Sequence, residues 1–270
     1  MLSPSGGHLY IVGLGLSPRF ITLEAIEILK SCDHIFYENY TSLPASGSIE
    51  DVEAIIGKRF VKLSRKDLED LSARSLFEAL ERGEKVCLAC WGDPMAATTH
   101  IYIATEAVKR GYSYTYIPGV SAITSSLGYA GLMIYRLGRV MSVVRPRSRE
   151  EASSIYKRIR DTIDRGFHVL LLLELSVEEN YYMSFDEASR ILLSIASEEG
   201  YPGFRYRPGI GAAALGSPGQ RICYGSLEEL SKTRIEAKPQ ILLLLGELYF
   251  TEKEYIDIMV KRYGKCWGSL

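Results

Sequence analysis

The chain is poor in side-chain amides: of its 270 residues only Asn39, Asn180, Gln220 and Gln240 are Asn or Gln. Arg also outnumbers Lys, 20 to 12, and a chain short of heat-labile amides is one suited to high temperature. It has no excess of charge of one sign. Lys+Arg 32 against Asp+Glu 33 leaves a formal net charge of −1, which argues against a dedicated nucleic-acid binder, because such proteins need a basic surplus to displace phosphate counterions. Long apolar runs are missing too. Residues 169–173 and 241–245 fall far short of the roughly 20 needed to cross a bilayer, and residues 1–7 have neither the cationic nor the apolar part of a secretion signal. A soluble, cytoplasmic protein is expected.

Cysteine is sparse, with five in all: Cys32, Cys87, Cys90, Cys223 and Cys266. Cys87-x-x-Cys90 has no second Cys pair and no clustered His beside it, so no metal site is indicated. The surrounding residues 85–91 read as a strand, where free Cys is commonly buried. Heat-adapted organisms keep disulfides inside the cell, and one structural bridge fits the composition.

What the chain does have is alternation. His8-Leu9-Tyr10-Ile11-Val12-Gly13-Leu14-Gly15-Leu16 is an apolar run ending in glycines, the pattern of a strand covered on both faces. A helix capped by Thr22 should follow, with Leu23, Ile26 and Leu29 at helical spacing. Strands at 34–38, 59–63, 85–91 and 113–117 alternate with helices from about Ser48, Asp67 and Thr98, which predicts βαβ units and a mainly parallel sheet. Pro118-Gly119-Val120 breaks this series. Beyond it come a small-residue helix from about Ser121 and strands near 140–144, 168–175, 210–215, 221–224 and 241–245. Gly216-Ser217-Pro218-Gly219 turns a hairpin, so the second sheet is mixed. Thr251-x-x-Glu254 offers a capping box for a last helix. Two α/β domains are expected, 1–118 and 119–270.

Two loops carry chemistry. Gly13-x-Gly15-x-x-Pro18 resembles a dinucleotide fingerprint but has Pro where that motif needs its third glycine. It permits a close backbone approach and no more. Gly92-Asp93-Pro94-Met95-Ala96-Ala97-Thr98-Thr99-His100 follows a strand and opens a helix. That places it on the carboxyl edge, where open α/β sheets bind ligands, with Asp93 as a carboxylate for a positive group. An ordinary turn with Thr98 as a cap explains the same spacing.

The Gly-x-Gly loop, the Gly-Asp-Pro turn and Pro118-Gly119-Val120-Ser121-Ala122 together resemble the tetrapyrrole methylase superfamily. Glu38-Asn39-Tyr40-Thr41-Ser42, Leu63-Ser64-Arg65, the Ala97-Thr98-Thr99-His100 extension and Gly131-Leu132-Met133-Ile134-Tyr135-Arg136-Leu137-Gly138 are similar to the diphthine synthase family within it. The resemblance runs from His8 to about Phe250. It implies two α/β domains with a cleft between them for S-adenosylmethionine, which is converted to S-adenosylhomocysteine. The implied acceptor is the amino group of a 3-amino-3-carboxypropyl histidine on translation elongation factor 2, and the implied assembly is a homodimer. Carried over by position, the cofactor contacts are Leu16, Asp93, Ala96, Ala122, Ile123, Leu173, Leu215 and Gln240, the last standing where the family commonly has His. A precorrin methyltransferase of the same superfamily and a non-catalytic nucleotide-binding protein are the alternatives.

Methyl transfer to an amine requires alignment and exclusion of water more than acid–base work. A free α-amine titrates near ~8, so no catalytic residue and no metal is expected, and His100 or Glu38 need only accept a proton if they act. A substrate carboxylate calls for a cation, with Arg65, Arg136 and Arg139 as candidates, while Arg145, Arg147 and Arg149 suit an acidic protein surface.

Overall fold

The opening apolar run becomes β1 (His8–Gly13), and its alternating side chains feed two cores: Leu9 and Ile11 join one cluster, Val12 and Leu14 the other. This is why the run is apolar without a break. In the computed structural model, which describes residues 6–40 and 42–268, the chain divides into two units, Met1–Ala122 and Ile123–Leu270. Met1 to Ser5, on which most of the secretion-signal reading rests, and Thr41 of the Glu38-Asn39-Tyr40-Thr41-Ser42 string lie outside the described residues, as do Ser269 and Leu270.

The first unit adds β2 (His34–Glu38), β3 (Val61–Leu63), β4 (Lys85–Cys90) and β5 (Ser113–Ile117) in one sheet of order β3-β2-β4-β1-β5. Every pairing in it is parallel. One face packs on α1 (Leu23–Ser31) and α2 (Ile49–Ile56), the other on α3 (Arg74–Glu81) and α4 (His100–Lys109). Thr22 caps α1 by accepting the Ala25 N–H at 3.1 Å, but the helix buries Ala25 and Leu29 while Leu23 stands 80% exposed. The helix expected from Asp67 starts later. The Asp67 carboxylate accepts from the Ser64 N–H at 2.8 Å and its hydroxyl at 2.6 Å, winding 66–70 into a π turn before α3 begins at Arg74.

The second unit holds α5 (Ala122–Ala130, beginning at the division), β6 (Leu137–Val143), α6 (Arg149–Asp164), β7 (His168–Leu173), the short pair β8 (Leu175–Ser176) and β9 (Tyr181–Tyr182), and α7 (Phe185–Glu198). Then come β10 (Pro208–Ala213), β11 (Arg221–Ser226), α8 (Leu227–Leu230), β12 (Gln240–Leu244), α9 (Phe250–Tyr263) and β13 (Cys266–Trp267). The sheet runs β13-β11-β10-β12-β7-β6; only β6 and β7 are parallel, and β10 with β11 is the expected hairpin. Its helix-covered face buries Tyr156, Phe185, Leu192 and Leu227 against Leu171, Leu242 and Leu244.

Several expectations change. The strand pattern alone does not predict α6 or α7, yet Ser148-x-x-Glu151 and Ser184-x-x-Glu187 announce both, each Ser accepting the N–H three residues on. The last helix begins at Phe250 rather than after Thr251. The carboxylate that takes the free N–H at its start is Glu252, which accepts from Tyr249 at 2.7 Å. There are two disulfides rather than one, Cys32–Cys87 and Cys223–Cys266, with Cys90 free and buried. Among the described residues no helix is long and apolar enough to cross a membrane.

Candidate functional site

Because β4, β1 and β5 are adjacent and parallel, the loops that follow them emerge at one edge, and backbone hydrogen bonds join those after β1 and β4. Gly15 N–H donates to Gly92 O at 3.1 Å and Gly92 N–H to Gly15 O at 2.8 Å, while Leu14 N–H donates to Cys90 O at 2.9 Å. Glycine is a steric requirement here. A Cβ on Gly13 would sit 2.5 Å from Gly119 N, and one on Gly119 would sit 2.0 Å from Gly92 O.

Asp93 lies half-buried at the centre of this junction. Its Oδ1 accepts the Met95 N–H at 2.9 Å; its Oδ2 accepts the Gly119 N–H at 3.1 Å and the Tyr116 hydroxyl at 2.5 Å. The carboxylate expected to meet a positive group therefore first ties the turn after β4 to the loop after β5. The Tyr116 hydroxyl is pushed up to about 12 by burial and by donating to Asp93. Tyr116 was not singled out from sequence. Its signal is positional, as the last outward-facing residue of an edge strand ending at this loop.

Leu16 is buried, and its carbonyl accepts the Ala45 N–H at 2.7 Å. Next to it the buried Ser17 hydroxyl has no hydrogen-bond partner among the described residues. Ala96 is half-buried, with its N–H on Asp93 O at 3.1 Å, so Leu16, Asp93 and Ala96 come together on this edge. Ala122 and Ile123 open α5, both half-buried. In the second unit Leu173 ends β7, Leu215 follows β10 and Gln240 starts β12. The register (Ala213 opposite Gln240, Leu172 opposite Ile241) puts these three at one edge of that sheet. The Gln240 amide is fully engaged internally. It accepts from Phe185 N–H at 2.9 Å and donates to Ile235 O and Ala237 O at 2.7 and 2.9 Å, so its side chain supports the start of α7.

His100 is 2% exposed and Glu38 not at all. Burial holds the imidazole below its ordinary range, with the nearby Glu38 opposing. Neither reaches the protein surface. The arginines divide. Arg136 donates to Gly166 O and Glu247 O at 2.9 and 2.7 Å, and Arg145 lies on the surface between Glu174 and Glu179, over the Tyr181 ring; both are committed to partners within the chain. Arg147 and Arg149 are exposed, the latter 3.8 Å from Glu198, and Arg139 is exposed on β6. Arg65 follows β3 on the carboxyl edge of the first sheet, exposed over the Tyr40 ring at 5.3 Å. Among the described residues no cluster of His, Cys, Asp and Glu is placed to hold a metal ion.

A parallel sheet whose strand ends are bound into one glycine-rich, carboxylate-centred edge, followed by a mixed second sheet, is an architecture of ligand-binding α/β enzymes. The chain belongs to the tetrapyrrole (corrin/porphyrin) methylase family, which it matches over residues 8–231. It is 36% identical over 253 residues to diphthine synthase from Pyrobaculum islandicum, covering 93% of this chain and 99% of that protein. Diphthine synthase from Methanocaldococcus jannaschii is 31% identical, covering 93% of this chain and 98% of its relative. Among solved structures, a diphthine synthase superposes with a TM-score of 0.81 at 32% identity over 92% of this chain and 94% of the other. A putative diphthine synthase from Entamoeba histolytica gives 0.82 at 28% identity, over 94% of this chain and 98% of the other. Within the family its place is with the diphthine synthases, as a methyltransferase of diphthamide biosynthesis that draws on an S-adenosylmethionine-type methyl donor.

Proposed function

We propose that the protein transfers methyl groups from S-adenosylmethionine to the amino group of the 3-amino-3-carboxypropyl histidine of translation elongation factor 2, giving diphthine and S-adenosylhomocysteine. The observation that carries this is the edge where Gly13, Gly92 and Gly119 bring three loops into backbone contact around Asp93. Its small residues suit a nucleoside. So do the buried apolar Leu16 and the unpaired Ser17 hydroxyl beside it, and Asp93 keeps carboxylate lone pairs beyond those its three donors use. We assign Leu16, Asp93, Ala96, Ala122 and Ile123 as donor contacts, with Leu173, Leu215 and the backbone of Gln240 from the second unit.

When bound, the donor supplies a methyl group on a sulfonium, activated toward an amine. The chain's task is then to place that methyl in line with a neutral amine and keep water out. Buried His100 and Glu38 take no proton from the amine, and none of the assigned residues acts as a nucleophile. Arg65, exposed on the carboxyl edge of the first sheet, is the cation for the substrate carboxylate, in preference to Arg136, which is committed to backbone carbonyls, and to Arg139, which lies near the start of β6. A homodimer in the cytoplasm belongs to the same proposal, and size-exclusion chromatography with light scattering checks its assembly.

The test is labelled methyl transfer, with product mass, to elongation factor 2 carrying the unmethylated modified histidine. Label in that histidine is expected, together with weaker calorimetric binding of S-adenosylmethionine to Asp93→Ala. Transfer to a precorrin and none to the factor overturns the assignment in favour of a tetrapyrrole methyltransferase. Unchanged binding by Asp93→Ala removes this edge from the donor site.

A further inference from the structure

The string Ala97-Thr98-Thr99-His100 has no part in the donor contacts assigned above apart from adjoining Ala96. Two of its side chains, Thr98 and His100, converge on a single peptide unit, the one between Pro94 and Met95, which is held at both ends. The carbonyl, Pro94 O, accepts from His100 Nδ1 at 3.0 Å and from the Thr98 hydroxyl. The N–H of the same unit, on Met95, donates to Asp93 Oδ1 at 2.9 Å. A carbonyl oxygen only accepts, so the His100 hydrogen lies on Nδ1. Nε2 then faces Glu38 Oε2 at 3.9 Å, beyond hydrogen-bond range, and Cys90 Sγ is 3.9 Å from Nδ1. Glu38 is itself held by accepting the Tyr40 N–H at 2.6 Å.

A peptide unit is rigid and moves only by rotation about the bonds flanking it. Bonds at both its oxygen and its hydrogen remove that rotation. Two residues beyond it, Ala97 sits at φ +61, a left-handed conformation that alanine holds only when its surroundings impose it.

We propose that His100 is a positioning residue for methyl-donor binding. Its Nδ1–H, assisted by the Thr98 hydroxyl, sets the Pro94–Met95 peptide plane and through it the backbone from Asp93 to Ala96 that meets the donor. This rests on the reading of that loop as the S-adenosylmethionine site.

The test compares His100→Asn, His100→Gln, His100→Leu and Thr98→Val in the full chain, by calorimetric titration with S-adenosylmethionine and by hydrogen exchange at the Met95 amide. The Asn side-chain amide nitrogen falls about where Nδ1 lies, and that of Gln about where Nε2 lies. His100→Asn should therefore keep its Kd within about threefold of the parent. His100→Gln and His100→Leu should lose about tenfold, the effect of one ordinary hydrogen bond, with faster Met95 exchange. Thr98→Val, which leaves the imidazole in place, should show a smaller loss in the same direction. Equal weakening in the Asn and Gln variants, tracking their loss of thermal stability, marks a packing role and overturns the proposal. So does an unchanged Kd in both His100→Leu and Thr98→Val. A parent protein that gives no heat with S-adenosylmethionine while its Met95 amide stays protected brings down the donor-site reading, and this proposal with it.

Discussion

At the scale of single residues, the sharpest constraint on the candidate site is the absence of side chains. Gly119 has its nearest hypothetical Cβ contact at 2.0 Å, against the backbone oxygen of Gly92, which cannot swing aside as a long side chain would. Gly119→Ala is expected to destabilise the protein by about 1–3 kcal/mol, the usual cost of overpacking, and to weaken donor binding by parting the loops after β4 and β5. Gly128 in α5 is the control, since a Cβ there meets nothing within 4 Å. Gly128→Ala should stabilise by about 0.4–1 kcal/mol by removing freedom from the unfolded chain. Urea unfolding of both variants decides it, and equal effects at the two positions would sink the steric account. Much of this edge was legible in the sequence: glycines at a strand end and Gly-Asp-Pro before a helix already mark a carboxyl-edge loop. The need for Gly119 and the role of the Tyr116 hydroxyl were not legible, because both follow from β5 lying beside β1, a non-local pairing that no local pattern records. Gln240 gives the converse case. Position suggested a ligand contact, and only the folded chain reveals that its amide is committed to Phe185, Ile235 and Ala237.

At the scale of elements, α9 is anchored by a buried pair that no sequence pattern marked. His168 Nδ1 accepts the Gly246 N–H at 3.0 Å, so its hydrogen is on Nε2, directed at the Glu252 carboxylate 3.3 Å away. Glu252 also accepts the Met133 N–H at 2.8 Å and the Tyr249 N–H at 2.7 Å. One carboxylate thus joins the entry to α9, the loop after α5 and the start of β7, which is why it, and not Glu254, caps the helix. Burial lowers the His168 pKa and Arg136 adds to this, while Glu252 opposes it; a second proton would also displace the Gly246 bond. The sign follows. Below the ordinary value near ~6.5 the unfolded chain carries a proton that the folded imidazole still refuses, so stability is full above that pH. It falls as pH drops, by at most about 1.4 kcal/mol per pH unit for this one group, and levels off below the lowered folded value. His168→Asn has no proton to refuse and should lose that share of the slope in urea unfolding between pH 7 and 5. His100 and His8, lowered in the same direction, keep theirs. An unchanged slope would mean that His168 does not titrate differently in the two states. Helices α6 and α7 differ in kind from this pair: their capping signals, Ser148-x-x-Glu151 and Ser184-x-x-Glu187, are local and readable in the sequence.

At the scale of the whole molecule, each unit carries its own covalent staple. Cys32–Cys87 ties the end of α1 to β4 in the first unit, across 55 residues. Cys223–Cys266 ties β11 to β13 in the second, across 43. Loops of this length are typically worth about 2–4 kcal/mol each through the unfolded chain, and two such staples accord with a composition stripped of heat-labile amides. The two differ in access. Cys32 and Cys87 are fully buried, whereas Cys266 is exposed, so reductant applied to the folded protein should open only Cys223–Cys266. Alkylation and intact mass read this directly. One modified thiol, Cys90, is expected after unfolding without reductant, one, the exposed Cys266, after reduction of the folded protein, with Cys90 and Cys223 shielded by burial, and five after unfolding with reductant. Opening the second-unit bridge should lower its melting temperature by on the order of 10 °C, while donor binding at the Asp93 edge of the first unit stays intact because Cys32–Cys87 still holds β4. Five reactive thiols without reductant would remove both staples from the account, and would leave heat resistance to packing and ion pairs alone.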